Sequence, residues 1–161
     1  MRKKTRIGLV AAVMLVITRM TSWGQEAGEI SVGTLMEGNL SGRRGMSMAG
    51  GLIAGYALSE CFTFGIKVDY GNDFDGLGIF EVTTYGRCYI ALKKIEELRL
   101  WVQMGVGGTT FIESGRNGIS SMAVDISTGV RFPVDSFYAE PYIRVGYPVP
   151  FGLGVIVGYK F

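Results

Sequence analysis

The residue types from which catalytic sites are usually built are scarce in this chain. It has no histidine, which removes Ser–His nucleophilic catalysis and the commonest metal ligand. Its two cysteines are Cys61 and Cys88. Carboxylates are more plentiful, and Asp69 with Glu81 offers a pair of the kind used in acid–base chemistry. Such pairs are better explained as partners for neighbouring cations. The expectation is a protein that is not an enzyme, with no catalytic residues, no metal ligands and no cofactor.

The elements that carry these residues alternate with a period of two, the pattern of strands with two unlike faces. Eight segments show it, at about 29–38, 46–58, 62–70, 78–92, 98–108, 120–132, 137–147 and 152–161. The third is the clearest: Phe62, Phe64, Ile66, Val68 and Tyr70 alternate with Thr63, Gly65, Lys67 and Asp69. Twenty-five glycines against four prolines, with eight tyrosines and nine phenylalanines, suit strands and tight turns. Turn residues separate the segments: Asn39–Gly45, Asn72–Gly76, Ser114–Gly118 and Pro148–Phe151 on one side, Ser59–Cys61, Lys93–Glu97 and Pro133–Ser136 on the other. Pro141 falls inside the seventh segment on its apolar face, and predicts a bulge or a weak ladder there.

The first 24 residues read differently. Met1–Arg6 is basic, Ile7–Thr18 is apolar, and Ser22-Trp23-Gly24 supplies small residues for a signal peptidase. This is the pattern of a cleavable signal peptide over 1–24, too short to span a membrane as a helix. Arg2, Lys3, Lys4, Arg6 and Arg19 all lie in it. Residues 25–161 therefore keep 11 of the 16 basic residues and all 14 acidic ones, a net charge of −3. That balance excludes a basic nucleic-acid surface.

Alternation alone also fits a soluble, lipocalin-like barrel. Three features point instead to a barrel whose apolar face meets lipid. Strand charges (Glu29, Glu37, Lys67, Asp69, Glu81, Arg87, Arg99, Asp125, Arg131, Glu140, Arg144, Lys160) all fall on the non-apolar face. A Lys or Arg in mid-bilayer would cost roughly 2–4 kcal/mol. Aromatics on the apolar face gather near strand ends, with Tyr56, Phe62, Phe132, Phe137, Tyr159 and Phe161 at one level and Tyr70, Phe80 and Tyr147 at the other. The chain closes on Val157-x-Tyr159-x-Phe161, which resembles the C-terminal signal that outer-membrane proteins present to the barrel-assembly machinery. The expected fold is all-β: an eight-stranded antiparallel up-and-down transmembrane β-barrel over 25–161, with both termini periplasmic in the outer membrane of a diderm bacterium.

An eight-stranded barrel is just wide enough for its own side chains to fill. Register extrapolated from the hairpins pairs Lys67 with Glu81, Asp125 with Arg144, and Glu140 with Lys160. Arg87, Tyr89, Arg99, Trp101, Arg131 and Tyr138 form a bulky lumenal plug near the periplasm. Small residues in the outer half (Ser47, Ala49, Gly51, Gly105, Gly107, Ala123, Gly146, Gly154) leave either a shallow outward-facing cavity or mere relief of crowding. Cys61 and Cys88 come close across the third hairpin, but parity puts them on opposite faces, so a disulfide is open rather than required.

With these features in place, the chain resembles the small eight-stranded outer-membrane proteins. The ending Val157-Gly158-Tyr159-Lys160-Phe161 partly matches the last strand of the OmpW family. OmpX/Ail-like and OmpA-like barrels share the architecture. Likeness to OmpW implies a porin-like narrow channel or pocket for small hydrophobic molecules. The alternatives are an adhesion or host-interaction barrel and a structural outer-membrane protein. The implied partners are outer-membrane lipid, the barrel-assembly machinery, periplasmic chaperones and a small hydrophobic ligand, with no nucleic acid and a monomeric state. Mass mapping of the exported protein should find Gln25 at its N-terminus, or Gly28 if cleavage follows Ala27; an uncleaved Met1 would refute the signal peptide.

Overall fold

In the computed structural model, which describes residues 27–41, 45–73, 76–91, 98–113 and 118–161, the chain forms eight antiparallel strands. They are β1 (Ile30–Ser41), β2 (Gly45–Ser59), β3 (Phe62–Asp73), β4 (Gly78–Ala91), β5 (Arg99–Ile112), β6 (Ile119–Val134), β7 (Phe137–Tyr147) and β8 (Phe151–Lys160). Each pairs with its sequence neighbour, and β8 pairs back onto β1 to close the barrel. The closing seam runs from Ser31↔Lys160 to Leu40↔Phe151, and the Phe161 N–H donates to the Ile30 carbonyl at 2.9 Å. Closure leaves no edge strand with unpaired backbone groups. The proposed signal peptide, 1–24, lies outside the described residues.

Alternation sorts the side chains as the sequence predicts. Outward residues such as Met36, Leu52, Ile66, Met104, Ile126 and Leu153 are exposed. None of the charged side chains described within the strands is exposed, and Glu37, Lys67, Glu81, Arg87, Asp125, Arg131, Glu140 and Arg144 are buried. The outside is apolar and the inside polar, the inverse of a water-soluble domain. Both aromatic levels are present on the outer face. At the end bearing the termini, Phe137, Tyr159 and Phe161 stack edge to face at 5.0 and 4.9 Å.

Pro141 does interrupt its ladder but makes no bulge. Pairing of β6 with β7 lapses between Gly129↔Tyr142 and Phe132↔Ala139, then resumes in the same register. Proline has no N–H to give, and the strand passes over the gap without inserting a residue. The register shift falls instead at Ala57/Ser59, where β2 turns into β3. The β6–β7 turn places Asp135 at φ 55°, a left-handed conformation that Asp tolerates better than most residues.

The lumen is filled by matching rings to glycines across adjacent strands. Gly65↔Tyr85, Trp101↔Gly129, Tyr138↔Gly158 and Tyr142↔Gly154 are direct cross-strand partners. Each ring lies over its glycine: a Cβ added at Gly129 or Gly154 would meet the Trp101 or Tyr142 ring at 2.6 Å. Such aromatic–glycine pairs fit large side chains against a closely curved wall. The rings join Leu35, Ile53, Tyr89 and Ile156 in one buried apolar cluster.

At the end away from the termini the inward glycines lie close against their neighbouring strands: a Cβ at Gly105 would lie 2.6 Å from Asp125 Oδ2, and one at Gly146 2.5 Å from the Val124 carbonyl. Leu77, Ile79 and Val149 are buried at that end of the barrel. The small residues there relieve crowding between neighbouring strands. At Gly107 the added Cβ would run directly into the Val82 carbonyl, whereas at outward-facing Gly108 the nearest atom is 3.9 Å away. Gly107→Ala should cost the barrel about 1–3 kcal/mol and Gly108→Ala close to nothing, measured by urea unfolding in vesicles. Equal effects would refute the packing assigned here.

Candidate functional site: the charged lumen

Two ionic layers occupy the lumen. The first lies towards the end bearing the termini and centres on Glu140, which is wholly buried. β7 carries it inward from one wall. Arg87 from β4 reaches it from across the barrel, Nη1 donating to Oε2 at 2.7 Å, and Arg131 from β6 donates through Nε to Oε1. Arg87 makes three further bonds: Nε and Nη2 bond Gln103 Oε1 at 2.9 and 2.8 Å, and Nη1 also reaches the Tyr89 hydroxyl at 3.1 Å. Its guanidinium lies 4.1 Å from the Trp101 ring centre, and that of Arg131 lies 4.0 Å from Tyr138. Two cations share one carboxylate, and the aromatic faces supply part of the missing negative potential.

The second layer lies towards the opposite end. Glu81 Oε1 accepts from Lys67 Nζ at 2.9 Å and from Arg144 Nη1 at 2.7 Å, while its Oε2 accepts from Thr109 at 3.2 Å. Lys67 also meets Asp69 at 3.2 Å. Arg144 Nη2 meets Glu37 at 2.8 Å, and the Tyr142 hydroxyl donates to the other Glu37 oxygen at 2.7 Å. Buried charges carry a large desolvation cost, which only such multiple pairing offsets.

Two of the three ion pairs expected from hairpin arithmetic are replaced. Lys67 and Glu81 do meet, though diagonally, since Lys67 stands opposite Thr83. Arg144 stands opposite Ser127 rather than Asp125 and turns to Glu37 and Glu81. Asp125 instead accepts from Ser127 at 3.0 Å. Glu140 stands opposite Ile156, and its partners come from β4 and β6. Lys160 faces Glu29 at the mouth, at 3.7 Å. The arithmetic is off by two residues on β3–β4 and β6–β7 and by four on β7–β8, and an even slip keeps the same face. Parity was therefore right where partners were wrong.

Of the plug residues, Arg87, Tyr89, Trp101, Arg131 and Tyr138 come together around Glu140 and are buried. Arg99 does not join them. It stays half-buried, with no ion pair to any described residue. Sequence reasoning missed Glu37, Gln103, Thr109 and Tyr142 as network members; their inward parity is legible, but Gln103 and Thr109 meet Arg87 and Glu81 through the β4–β5 register, and Glu37 and Tyr142 meet by skipping over β8. Cys61 and Cys88 are free thiols. Among the described residues no cluster of cysteines and carboxylates is arranged to hold a metal ion.

The charges also separate along the axis. Among the described residues, Arg87 and Arg131 share Glu140 in the first layer, one cation more than its carboxylate. In the second, Glu37, Asp69 and Glu81 share Lys67 and Arg144, one carboxylate more than the cations they pair with.

No protein-family model matches the sequence, and no curated protein does. Solved structures match the fold. The N-terminal β-barrel domain of Pseudomonas aeruginosa OprF superposes with a TM-score of 0.69 at 14% identity, over 85% of this chain and 100% of that one. Neisserial surface protein A (NspA) gives 0.63 at 10% identity, over 84% and 96%. The outer-membrane protein OprG of Pseudomonas aeruginosa gives 0.54 at 12% identity, over 86% and 98%. The chain thus has the fold of small outer-membrane barrels, of more than one kind, and the likeness does not single out OmpW.

Removing the shared carboxylate should expose the first layer's dependence on it. Glu140→Ala leaves two buried guanidiniums without a carboxylate and should cost about 3–5 kcal/mol in urea unfolding. Glu29→Ala, at the partly exposed mouth, should cost less than about 1 kcal/mol. Similar losses for both would show that the Glu140 network is not a principal support.

Proposed function

We propose that the protein resides in the outer membrane as a monomeric barrel, both termini towards the periplasm, with a lumen closed by its own ion pairs. The observation that carries this reading is the inversion of the surface, apolar outside and charged inside. An apolar band of this kind suits lipid, and a closed barrel is the one sheet architecture that lipid tolerates. Val157, Tyr159 and Phe161, on the outer face of the last strand, are the features the assembly machinery and periplasmic chaperones would read. The role is that of a structural outer-membrane protein rather than a general porin.

The apolar channel implied by OmpW resemblance finds little support in a lumen walled by Arg87, Arg131, Glu140, Lys67, Glu81 and Arg144. An adhesive role is disfavoured by the connections at the end away from the termini, which span only 42–44, 74–77, 113–118 and 148–150. A second reading, a narrow path for small molecules, does have one specific observation behind it. Trp101 Nε1, Arg131 Nη1, Thr83 Oγ1, Asp125 Oδ2 and Arg144 Nε are buried polar atoms without a hydrogen-bond partner, distributed between both layers. Such a path would suit polar solutes better than hydrophobic ones.

Planar-bilayer conductance and liposome uptake of the refolded barrel separate the two. The closed reading expects no current above the lipid baseline and no uptake of small sugars or aromatic solutes. Steady single-channel steps, or uptake of either solute class, would overturn it in favour of the channel.

A further inference from the structure

The two thiols lie at one corner of the barrel, at the end bearing the termini. Cys88 stands near the end of β4, directly opposite Phe62, the first residue of β3. Cys61 immediately precedes Phe62, and its carbonyl accepts from the Tyr89 N–H at 2.8 Å. Each cysteine is thus next in sequence to the residue that faces the other across the two strands. That spacing puts their Cα atoms about 6 Å apart, inside the range that a disulfide spans. Cys61 is also within electrostatic reach of Cys88.

In an extended strand, parity would send these two side chains to opposite faces. Cys61 is not in a strand: it belongs to the turn Glu60–Cys61 between β2 and β3. The register shift at Ala57/Ser59 brings Ser59 opposite Phe62. The Phe62 ring is on the outer face, 3.2 Å from where a Cβ on Gly86 would stand. Ser59 therefore shares that outer face, and its hydroxyl lies 3.6 Å from Cys61 Sγ. The turn has aimed Cys61 towards the side on which Cys88 is exposed. Phe62 belongs to the aromatic level at this end, so both sulfurs stand near the water boundary rather than in mid-bilayer.

We propose that Cys61 and Cys88 are a disulfide-forming pair that ties the open end of the β3–β4 hairpin, the two free thiols being its reduced form. The chemistry is thiol–disulfide exchange with an external disulfide. The Cys61 thiol gives its proton to solvent, and its sulfur attacks the external disulfide and expels one thiolate. Cys88, deprotonated in turn, attacks the Cys61 sulfur of the mixed disulfide and expels the second. The pair is oxidised to one disulfide, and the external disulfide is reduced to two thiols that take up the two protons. β3 and β4 are otherwise joined only through their far ends, at Asp73 and Gly78. The new bond closes the loop over residues 61–88. In the cell the oxidant is a disulfide of the periplasm, which rests on the export proposed above; the pairing itself does not.

The test uses the full chain, folded in maltoside detergent under reductant and then moved to a buffer of oxidised and reduced glutathione. Acid and N-ethylmaleimide trap the remaining thiols, and mass spectrometry reads the product. The expected product has lost two hydrogen atoms, carries neither maleimide nor glutathione, and yields one linked peptide pair holding Cys61 and Cys88. The urea-unfolded chain in the same buffer should bridge about tenfold less or weaker still, since only the fold holds the two sulfurs together. Cys88→Ser should leave Cys61 carrying maleimide or glutathione; the compact migration of unheated protein on a denaturing gel checks that it folds. A folded wild-type barrel that ends with two maleimides or two separate glutathiones would overturn the proposal. So would bridging no more complete in the folded barrel than in the unfolded chain. The assay needs no membrane, so a failure of the outer-membrane reading would leave its result unchanged.

Discussion

Closure of eight strands is the constraint from which the rest follows. At that strand number the lumen is only as wide as the side chains that point into it. Residues from opposite walls must therefore meet, and whatever charge the inner face carries must be neutralised there. Glu140 on β7 can touch Arg87 on β4 only because the sheet has curled round to bring them together. An open sheet of the same strands would leave those groups to water and its edges unpaired.

Closure at so small a radius also creates a packing problem, and the glycines answer it. Tyr85, Trp101, Tyr138 and Tyr142 are too large to stand beside one another on a tightly curved wall. Each is instead laid over a glycine on the neighbouring strand. The rings then serve twice: they fill the lumen, and the faces of Trp101 and Tyr138 receive the guanidiniums of Arg87 and Arg131. Apolar packing and charge neutralisation are in this way one arrangement rather than two. This is why Leu35, Ile53 and Ile156 can sit inward without disturbing a polar lumen.

Charge balance across the whole lumen conceals an axial separation. Among the described strand residues the layer about Glu140 holds more cations than carboxylates and the layer about Glu81 more carboxylates than cations, while each is internally cross-linked. The rings of Trp101 and Tyr138 offset part of the first imbalance by facing the guanidiniums of Arg87 and Arg131.

Much of this was legible in the residues. Alternation over Phe62–Tyr70 states both the strand and its faces, because a period of two needs no partner to be read. The exclusion of charge from the apolar face and the even strand number follow in the same way, and they sufficed for an eight-stranded barrel. What alternation cannot state is register. A slip of any even number of residues preserves every face, so hairpin arithmetic gives Asp125 to Arg144 and Glu140 to Lys160, two and four residues out, while every side chain still points correctly. Contacts across the lumen, such as Arg87 with Glu140 or Tyr142 with Glu37, join strands three and two apart around the wall. No local pattern encodes them, since they depend on strand tilt and barrel radius. The sequence by itself determined which residues face inward; only the closed tertiary structure decided which of them meet, because that choice is made by register and curvature.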